Sequence, residues 1–168
     1  MSSGMRDIRI EKLTLNIGAG KEQAVLEKGI ILLKNITGLS PVKTITQKRI
    51  ANWGLRPGLP IGCKLTFRRD KAKELAQRLL AARSNVLSQN NFDNNGNVSF
   101  GIHEYIDIPG VKYDPKIGIM GLQASLTLQR PGFRIKRRKI KPASIGKKHS
   151  ITKQEAIAFV QKLGYEVQ

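Results

Sequence analysis

The chain has 168 residues and carries 30 Lys and Arg against 12 Asp and Glu, a formal net charge of +18 at pH 7 that favours partners bearing phosphate. No apolar run approaches the ~20 residues of a transmembrane helix, residues 1–10 hold no apolar core of a signal peptide, and a single cysteine excludes an internal disulfide. We therefore expect one soluble, intracellular domain, residues 1–168, with its own hydrophobic core and no membrane contact.

Hydrophobic periodicity divides the chain into strands and helices. Alternation of apolar and polar residues predicts strands over 8–17, 41–46, 61–69, 98–102 (continuing through 105–108) and 122–129. Apolar residues at helical spacing predict helices over 21–37, 71–86 and 153–163. The segments 89–97 and 110–121 are predicted to be irregular, and the first of them to be an exposed polar turn.

Local signals predict where several of these elements bend, begin or end. The alternation of the first strand changes phase at Glu11, which predicts a bulge. Gly38 is placed to end the first helix, and Asp70 to cap the second. Thr152 and Glu155 have the spacing of a capping box, which predicts the start of the last helix.

The pattern as a whole predicts an α+β domain of two layers. Each strand has one apolar face and each helix one apolar stripe, so the helices can cover only one face of a mostly antiparallel sheet. The other face would display Thr14, Asn16, Lys64, Thr66, Arg68, Gln123, Ser125, Thr127 and Gln129. Such a plane suits the phosphates and 2′-hydroxyls of a folded RNA, and the alternative is an ordinary solvated sheet face.

Residues 129–149 (QRPGFRIKRRKIKPASIGKKH), the basic loop, are the most basic stretch of the chain. Its cations are Arg130, Arg134, Lys136, Arg137, Arg138, Lys139, Lys141, Lys147 and Lys148. No Asp or Glu occurs between Asp114 and Glu155, and interleaved prolines and glycines prevent a continuous helix or strand. Like charges this dense repel unless a polyanion lies among them, so the loop is predicted to bind nucleic acid. Its two ends would be held by the strand before it and the helix after it.

Three smaller features each allow two interpretations. Gly18 and Gly20 precede a helix, but without a complete phosphate-loop pattern a simple turn is favoured. Trp53 lies among Lys and Arg and could stack on a base, although a lone Trp more often anchors a loop or core. Cys63 falls on the apolar side of its strand, which favours a small buried hydrophobe over a nucleophile.

The alternative to a binding protein is an enzyme that acts on RNA. His103 and His149 are the only histidines, and Glu104 follows His103 directly, so on a strand the two would face opposite sides. No spacing of metal ligands, no nucleophile motif and no cofactor loop is present. The sequence favours a binding protein that has no cofactor, no metal and no catalytic residues.

Several long motifs, in order, resemble one family. They are IEKLTLNIGAG (10–20), TGLSPVKT (37–44), PIGCKLTFRRDKA (60–72), NVSFGIHEYIDIPGVKYDP (97–115) and LQRPGFRIKRRK (128–139). The family is the universal large-subunit ribosomal protein number five, and the basic segment ahead of IGKKHSITKQEA resembles its archaeal and eukaryotic branch, with an archaeal source favoured. The resemblance spans nearly the whole chain.

The resemblance implies an α+β fold and a structural role in the cytoplasmic ribosome. It implies binding of 5S rRNA in the central protuberance by the polar side of the sheet and the adjoining loops. It further implies contacts to large-subunit rRNA, to the P-site tRNA, to other proteins of the central protuberance and to a protein of the small-subunit head across the subunit bridge. The basic loop would contribute to the tRNA and rRNA contacts.

Particular residues match positions of the family's RNA-facing motifs. They are Asn16, Thr44, Lys48, Arg56, Lys64, Thr66 and Arg68. The chain departs from the family at Leu39, Ile45 and Gln47, where members carry Gln or basic residues. Direct hydrogen bonds from those three positions are not expected, and Lys43 or Arg49 is placed to compensate.

Overall fold

The computed structural model describes residues 4–168 and shows an α+β domain. In order, its elements are β1 (Arg9–Gly18), α1 (Gln23–Thr37), β2 (Val42–Ile45), β3 (Pro60–Phe67), α2 (Arg69–Ala81), β4 (Val86–Leu87), β5 (Asn97–Ile102), β6 (Leu122–Gln129), α3 (Lys153–Lys162) and β7 (Glu166–Val167). Five strands form an antiparallel sheet in the order β2-β3-β1-β6-β5, and β4 and β7 form a small parallel pair. The predicted fold class is confirmed.

The core lies between one face of the sheet and the helices. Helix α1 packs against β1 and β3, helix α2 packs against β1, and α3 adds Ala156 and Val160 to the same apolar cluster. Gly29 of α1 is needed for this close packing, because a Cβ there would lie 3.2 Å from Ile17 and 3.3 Å from the sulfur of Cys63. Cys63 is fully buried, and burial raises the pKa of its thiol, so it is the inert hydrophobe that the sequence predicts.

Most of the predicted local signals are confirmed. The register of β1 against β6 shifts between Ile10 and Lys12, at the predicted bulge. Gly38 ends α1 in the left-handed conformation with φ 72°, and its N–H donates to Lys34 O. Thr152 and Glu155 form the reciprocal hydrogen bonds of a capping box.

The predicted cap of α2 is wrong. Arg68 occupies the N-cap position and makes no side-chain capping bond, so Asp70 lies within the first turn. A carboxylate there still interacts favourably with the positive end of the helix dipole. The sequence signal therefore identified the correct end of the helix but not the role of the acidic residue.

Two predicted element ends are also wrong. Helix α2 ends at Ala81 because Ser84 and Asn85 adopt left-handed backbone angles, and the chain then enters β4. Strand β5 ends at Ile102, since Tyr105 begins a 3₁₀ turn over Tyr105–Asp107 instead of continuing the strand. The hydroxyl of the buried Tyr105 accepts from the backbone N–H of Asp114 at 2.9 Å.

The irregular segments are more ordered than their composition predicts. In the turn over residues 89–97, Phe92 is buried in the core although the segment was expected to be exposed. Asp93 organises this turn by accepting from the backbone N–H groups of Asn95 and Asn97 at 2.9 and 2.6 Å. Across residues 4–168, no helix is both long and apolar enough to cross a membrane.

Candidate nucleic-acid interface

The side of the sheet away from the helices, which we call the polar face, carries mostly short hydrogen-bonding side chains. Its members are Arg9, Lys12, Thr14, Asn16, Val42, Thr44, Lys64, Thr66, Asn97, Ser99, Gln123, Ser125, Thr127 and Gln129. Strand alternation places those of β1, β3, β5 and β6 here, because the neighbouring residue at each step points into the core. All five strands of the sheet contribute.

Asn16 lies at the centre of the polar face. The strand register places it opposite Lys64 on one side and Gln123 on the other. Its side-chain N–H donates to the Gln123 carbonyl oxygen at 3.3 Å. The row therefore combines an amide pair with an exposed ammonium group, which can donate to phosphate and ribose oxygens.

A second row runs parallel to the first and consists of hydroxyl groups. Thr14 lies opposite Thr66 and Ser125, and its Oγ1 is 3.3 Å from that of Thr66. At the far end, the Ser99 hydroxyl donates to the Ser125 hydroxyl at 3.1 Å. Each hydroxyl can donate and accept, so this row can bind either phosphate oxygens or 2′-hydroxyls.

Arg9, Lys12, Val42, Asn97 and Ser99 lie on the polar face but were missing from the predicted set of the face. Lys12 and Ser99 could have been found from sequence. The phase change at the bulge turns Leu13 inward and so turns Lys12 outward, opposite Thr127. Likewise, the inward Val98 implies an outward Ser99.

Arg68 extends the polar face beyond the end of β3. It is exposed and lines a groove with Arg9 and Arg137, in which Glu11 and Asp70 are acidic. The groove lies where β1 begins and β3 and β6 end, next to the start of the basic loop. The net charge of the groove is positive, as expected of a surface that binds a polyanion.

The β2–β3 loop (residues 46–59) holds two of the predicted contact residues, and Thr44 lies just before it. Lys48 and Arg56 are exposed, whereas Thr44 is half-buried beside Gly62 of β3. Trp53 is 67% exposed, so the prediction that it anchors a loop or core is wrong. The buried residues of this loop are Thr46 and Leu55.

The family departures lie on the same edge of the molecule. Leu39, Ile45 and Gln47 are all exposed. Exposure is compatible with a contact surface, but the Leu and Ile side chains cannot hydrogen-bond. Lys43 and Arg49 are exposed nearby in sequence, and so remain the predicted replacements.

Arg130 differs from the other cations of the basic loop, because it is only 6% exposed. One terminal nitrogen donates to the backbone oxygens of His149 and Ser150 at 3.2 and 3.3 Å, and the other to Glu155 Oε1 at 2.6 Å. Its guanidinium therefore joins the two ends of the basic loop. The prediction that Arg130 contacts nucleic acid is corrected to a role in holding the loop.

Hydrogen bonds to Glu155 stabilise its charged form. The backbone N–H of Thr152 donates to its carboxylate and is the main reason that the pKa of Glu155 lies below its ordinary value. The hydrogen bond and charge of Arg130 lower the pKa further. The last helix and the basic loop are thus coupled through one carboxylate.

Two further contacts hold the base of the basic loop. A ring nitrogen of His149 lies 2.9 Å from Pro131 O, and its ring packs edge-on against Phe133 with centroids 5.6 Å apart. Arg137 pairs with Glu11 of β1 and donates to Gln129 at 3.2 Å. The loop is therefore joined to the sheet and to α3, and is not a free tail.

The remaining cations of the basic loop are exposed, and within residues 4–168 only Arg137 of this set makes a hydrogen bond or ion pair with the sheet. The exposed set is Arg134, Lys136, Arg137, Arg138, Lys139, Lys141, Lys147 and Lys148. Short 3₁₀ turns over Phe133–Lys136 and Lys147–His149 interrupt the loop, as its prolines and glycines predict. This set forms a concentrated positive surface next to the polar face.

The structure offers no catalytic constellation among residues 4–168. His103 is exposed at a bend after β5, and His149 is engaged with Pro131. No group of three or more acidic, His or Cys side chains in this part of the chain could hold a metal ion.

Comparison with known proteins covers nearly the whole chain. Residues 3–56 match a family model described as Ribosomal protein L5, and residues 60–163 match a second model, described as the C-terminus of the same ribosomal family. The chain belongs to the ribosomal protein L5 family. Because members of this family are ribosomal proteins and not enzymes, the alternative of an RNA-acting enzyme is wrong.

Curated relatives agree with this membership along nearly their full length. The chain is 48% identical to large ribosomal subunit protein uL5 of Nanoarchaeum equitans, over 99% of each chain. It is 46% identical to the protein of the same name from Sulfurisphaera tokodaii (94% of this chain, 90% of that one) and 48% identical to that of Nitrosopumilus maritimus (95% and 92%). All three organisms are archaea, in agreement with the archaeal branch of the L5 family inferred from the basic segment.

Proposed function

We propose that this chain, a structural protein of the large ribosomal subunit, binds 5S rRNA and anchors it in the central protuberance. Its relatives are named as large ribosomal subunit proteins, which supports the assembly. The observation that carries the RNA contact is the polar face, a sheet surface without aromatic side chains that lies next to a basic loop. The main contacts would come from Asn16, Thr44, Lys48, Arg56, Lys64, Thr66 and Arg68.

The chemistry of the polar face favours a folded RNA over a single strand. Single-strand binding relies on aromatic side chains on which bases stack, and the rows through Thr14 and Asn16 have none. Hydroxyl, amide and ammonium groups instead match phosphates and 2′-hydroxyls, which a helical RNA displays along its wide minor groove. 5S rRNA is a folded RNA of this kind.

The basic loop would serve a second set of contacts. Its exposed cations, such as Lys136 and Lys139, have long side chains that reach beyond the sheet toward large-subunit rRNA or the P-site tRNA. We also propose, from the family resemblance, contacts with other proteins of the central protuberance and with a protein of the small-subunit head. The protein would act in translation as a scaffold.

Binding of purified protein to 5S rRNA at several salt concentrations tests the proposal. With roughly 6–10 phosphate contacts, we expect the affinity to fall about 10³- to 10⁵-fold between 50 and 200 mM salt. Chemical footprinting on total ribosomal RNA should show protection on 5S rRNA. An affinity that does not change with salt, or protection confined to other RNAs, would contradict the proposal.

A further inference from the structure

Trp53 is the most exposed aromatic side chain described and the only tryptophan of the chain. Most other aromatic side chains serve the core, where the buried ones are Phe67, Phe92, Phe100, Tyr105 and Tyr165. Trp is among the largest apolar side chains, and leaving it in water forgoes the stabilisation that burial would bring. Folding therefore does not explain why Trp53 lies on the surface.

The β2–β3 loop holds Trp53 in this position by its backbone. Ile50 and Leu55 form an antiparallel bridge with N–H···O distances of 3.1 and 3.0 Å. Between them, Gly54 turns the chain with φ 66° and donates to Ala51 O at 2.9 Å. Leu55 is buried and anchors the loop, so the indole of Trp53 is presented outward from a pre-organised turn.

The surroundings of Trp53 are positively charged. Lys48, Arg49 and Arg56 are exposed in the same loop, and no Asp or Glu occurs between Glu27 and Asp70. The side chain of Lys21, at the start of α1, also approaches the turn, since its Cδ lies 3.7 Å from where a Cβ of Gly54 would be. A protein partner could also cover an exposed indole, but exposed cations that outnumber the one carboxylate beside Lys21 in the sequence, that of Glu22, favour a polyanion.

We propose that Trp53 is a base-stacking site. Its indole would stack on an unpaired base of the bound RNA, while Lys48 and Arg56 neutralise the flanking phosphates. The inference rests on the proposed function and adds what the polar face cannot supply, an aromatic surface for an unstacked base. The β2–β3 loop would then recognise a bulge, loop or strand end next to the helix that lies on the polar face.

The single tryptophan makes the site directly measurable in the unaltered protein. Titration of the full chain with fluorescently labelled 5S rRNA would report binding by the anisotropy of the label and stacking by the emission of Trp53. We expect strong quenching of the emission during binding, and loss of access to the quencher acrylamide in the complex.

The outcomes of this titration separate the two proposals. If the anisotropy reports binding while Trp53 stays unquenched and accessible to acrylamide, the stacking site is refuted and the proposed RNA-binding function stands. If no binding occurs at 50 mM salt, the proposed function fails and the stacking site with it.

Substitutions distinguish stacking from a general apolar contact. Trp53→Ala should weaken RNA binding roughly 5- to 150-fold, the loss typical of one stacked base, and Trp53→Phe should recover most of it. Trp53→Leu should remain as weak as the alanine variant, because it is apolar but offers no π-face. Equal recovery by Leu and Phe, or a neutral Trp53→Ala, would overturn the inference.

Salt dependence provides a matched control within the same loop. Trp53→Ala should leave the slope of log affinity against log salt unchanged, since it removes no phosphate contact. Arg56→Gln should reduce that slope by about 1. Unchanged thermal unfolding of both variants would show that the exposed loop has kept its fold, and a change of slope in Trp53→Ala would count against stacking.

Discussion

The polar face and the basic loop are neighbouring surfaces that suit RNA, but they are built in different ways. On the polar face, short side chains such as Thr14 and Asn16 lie at positions fixed by strand register above a buried core. In the basic loop, long cationic side chains project from a segment that is joined to the rest of the fold mainly at its base, by Arg130 and Arg137. One surface is rigid and mildly charged, and the other is long and strongly charged.

This difference predicts a division of labour between shape and charge. Ordering a long Lys or Arg side chain costs up to about 2 kcal/mol of conformational entropy, whereas Thr and Ser lose much less. Pre-organised groups on the polar face can therefore distinguish one RNA shape from another. The exposed cations of the basic loop add attraction that depends on phosphate charge and falls steeply with salt.

The largest expected effect concerns the support of the polar face. Leu126 is 1% exposed beneath Ser125 and Thr127, so Leu126→Ala should lower the free energy of unfolding by about 2–5 kcal/mol and impair RNA binding through loss of fold. Ile140 in the basic loop is 78% exposed, and Ile140→Ala should change stability by no more than about 0.5 kcal/mol. Urea unfolding measures both, and a near-neutral Leu126→Ala would mean that the face is not supported as described.

The next prediction compares the contributions of the polar face and the basic loop to 5S rRNA binding. The double variant Asn16→Ala and Thr66→Ala removes groups that each contribute about 0.5–1.5 kcal/mol, so the affinity should fall roughly 5- to 150-fold. Neutralising Lys136, Lys139 and Lys141 to Gln keeps the Arg137 contacts to the sheet. At 150 mM salt this triple variant should lower 5S rRNA affinity less than about threefold, because charges beyond about 8 Å from the RNA are screened.

The same loop variant should impair binding of tRNA or assembly with large-subunit rRNA. Filter binding with 5S rRNA and tRNA in parallel would test the separation. Equal loss of 5S rRNA binding in the double and triple variants would show that the two surfaces act as one. Deleting residues 136–141 altogether should have the same selective effect, although it also removes the Arg137 pair with Glu11.

The alternation of apolar and polar residues was enough to predict the sheet. A strand with this pattern has one apolar face, which must be buried, and one polar face, which stays exposed. Strands β1, β3 and β6 follow from such alternation, and so does the exposure of Thr66 and Lys64. The end of α2 could not be predicted in the same way. Val86 fits the helical stripe, and only the left-handed angles at Ser84 and Asn85 remove it from the helix.

The roles of Arg130 and Trp53 show a second limit of sequence. In a run of cations, nothing local distinguishes Arg130, since its partner Glu155 lies 25 residues away and meets it only through the fold of the loop. Trp53 was expected to be an anchor because most tryptophans are. The loop is anchored instead by the buried Leu55, two residues further on, and the indole of Trp53 remains exposed.

The smallest expected effect concerns the contact that joins the basic loop to α3. Glu155→Gln keeps the shape and the capping-box acceptor but removes the charge that faces Arg130. Since the carboxylate is 41% exposed, the loss in unfolding free energy at pH 7 should be below about 1 kcal/mol. Hydrogen exchange should nevertheless speed up at the His149 and Ser150 amides, with no change in the amides of β1 and β6.

The direction of the pKa shift of Glu155 determines how its contribution to stability depends on pH. The pKa of Glu155 is lowered in the folded protein, so its charge stabilises the fold above the ordinary Glu pKa of about 4.3, and this stabilisation is lost as the pH falls through the lowered value. Unfolding curves of the native chain and Glu155→Gln should therefore differ at pH 7 and converge as the pH falls through the lowered pKa. Glu104→Gln, at an exposed carboxylate with no ion pair among residues 4–168, is the matched control and should show no gap at either pH. If the gap persisted undiminished at pH 3, the coupling of the loop to α3 would not depend on the charge of Glu155.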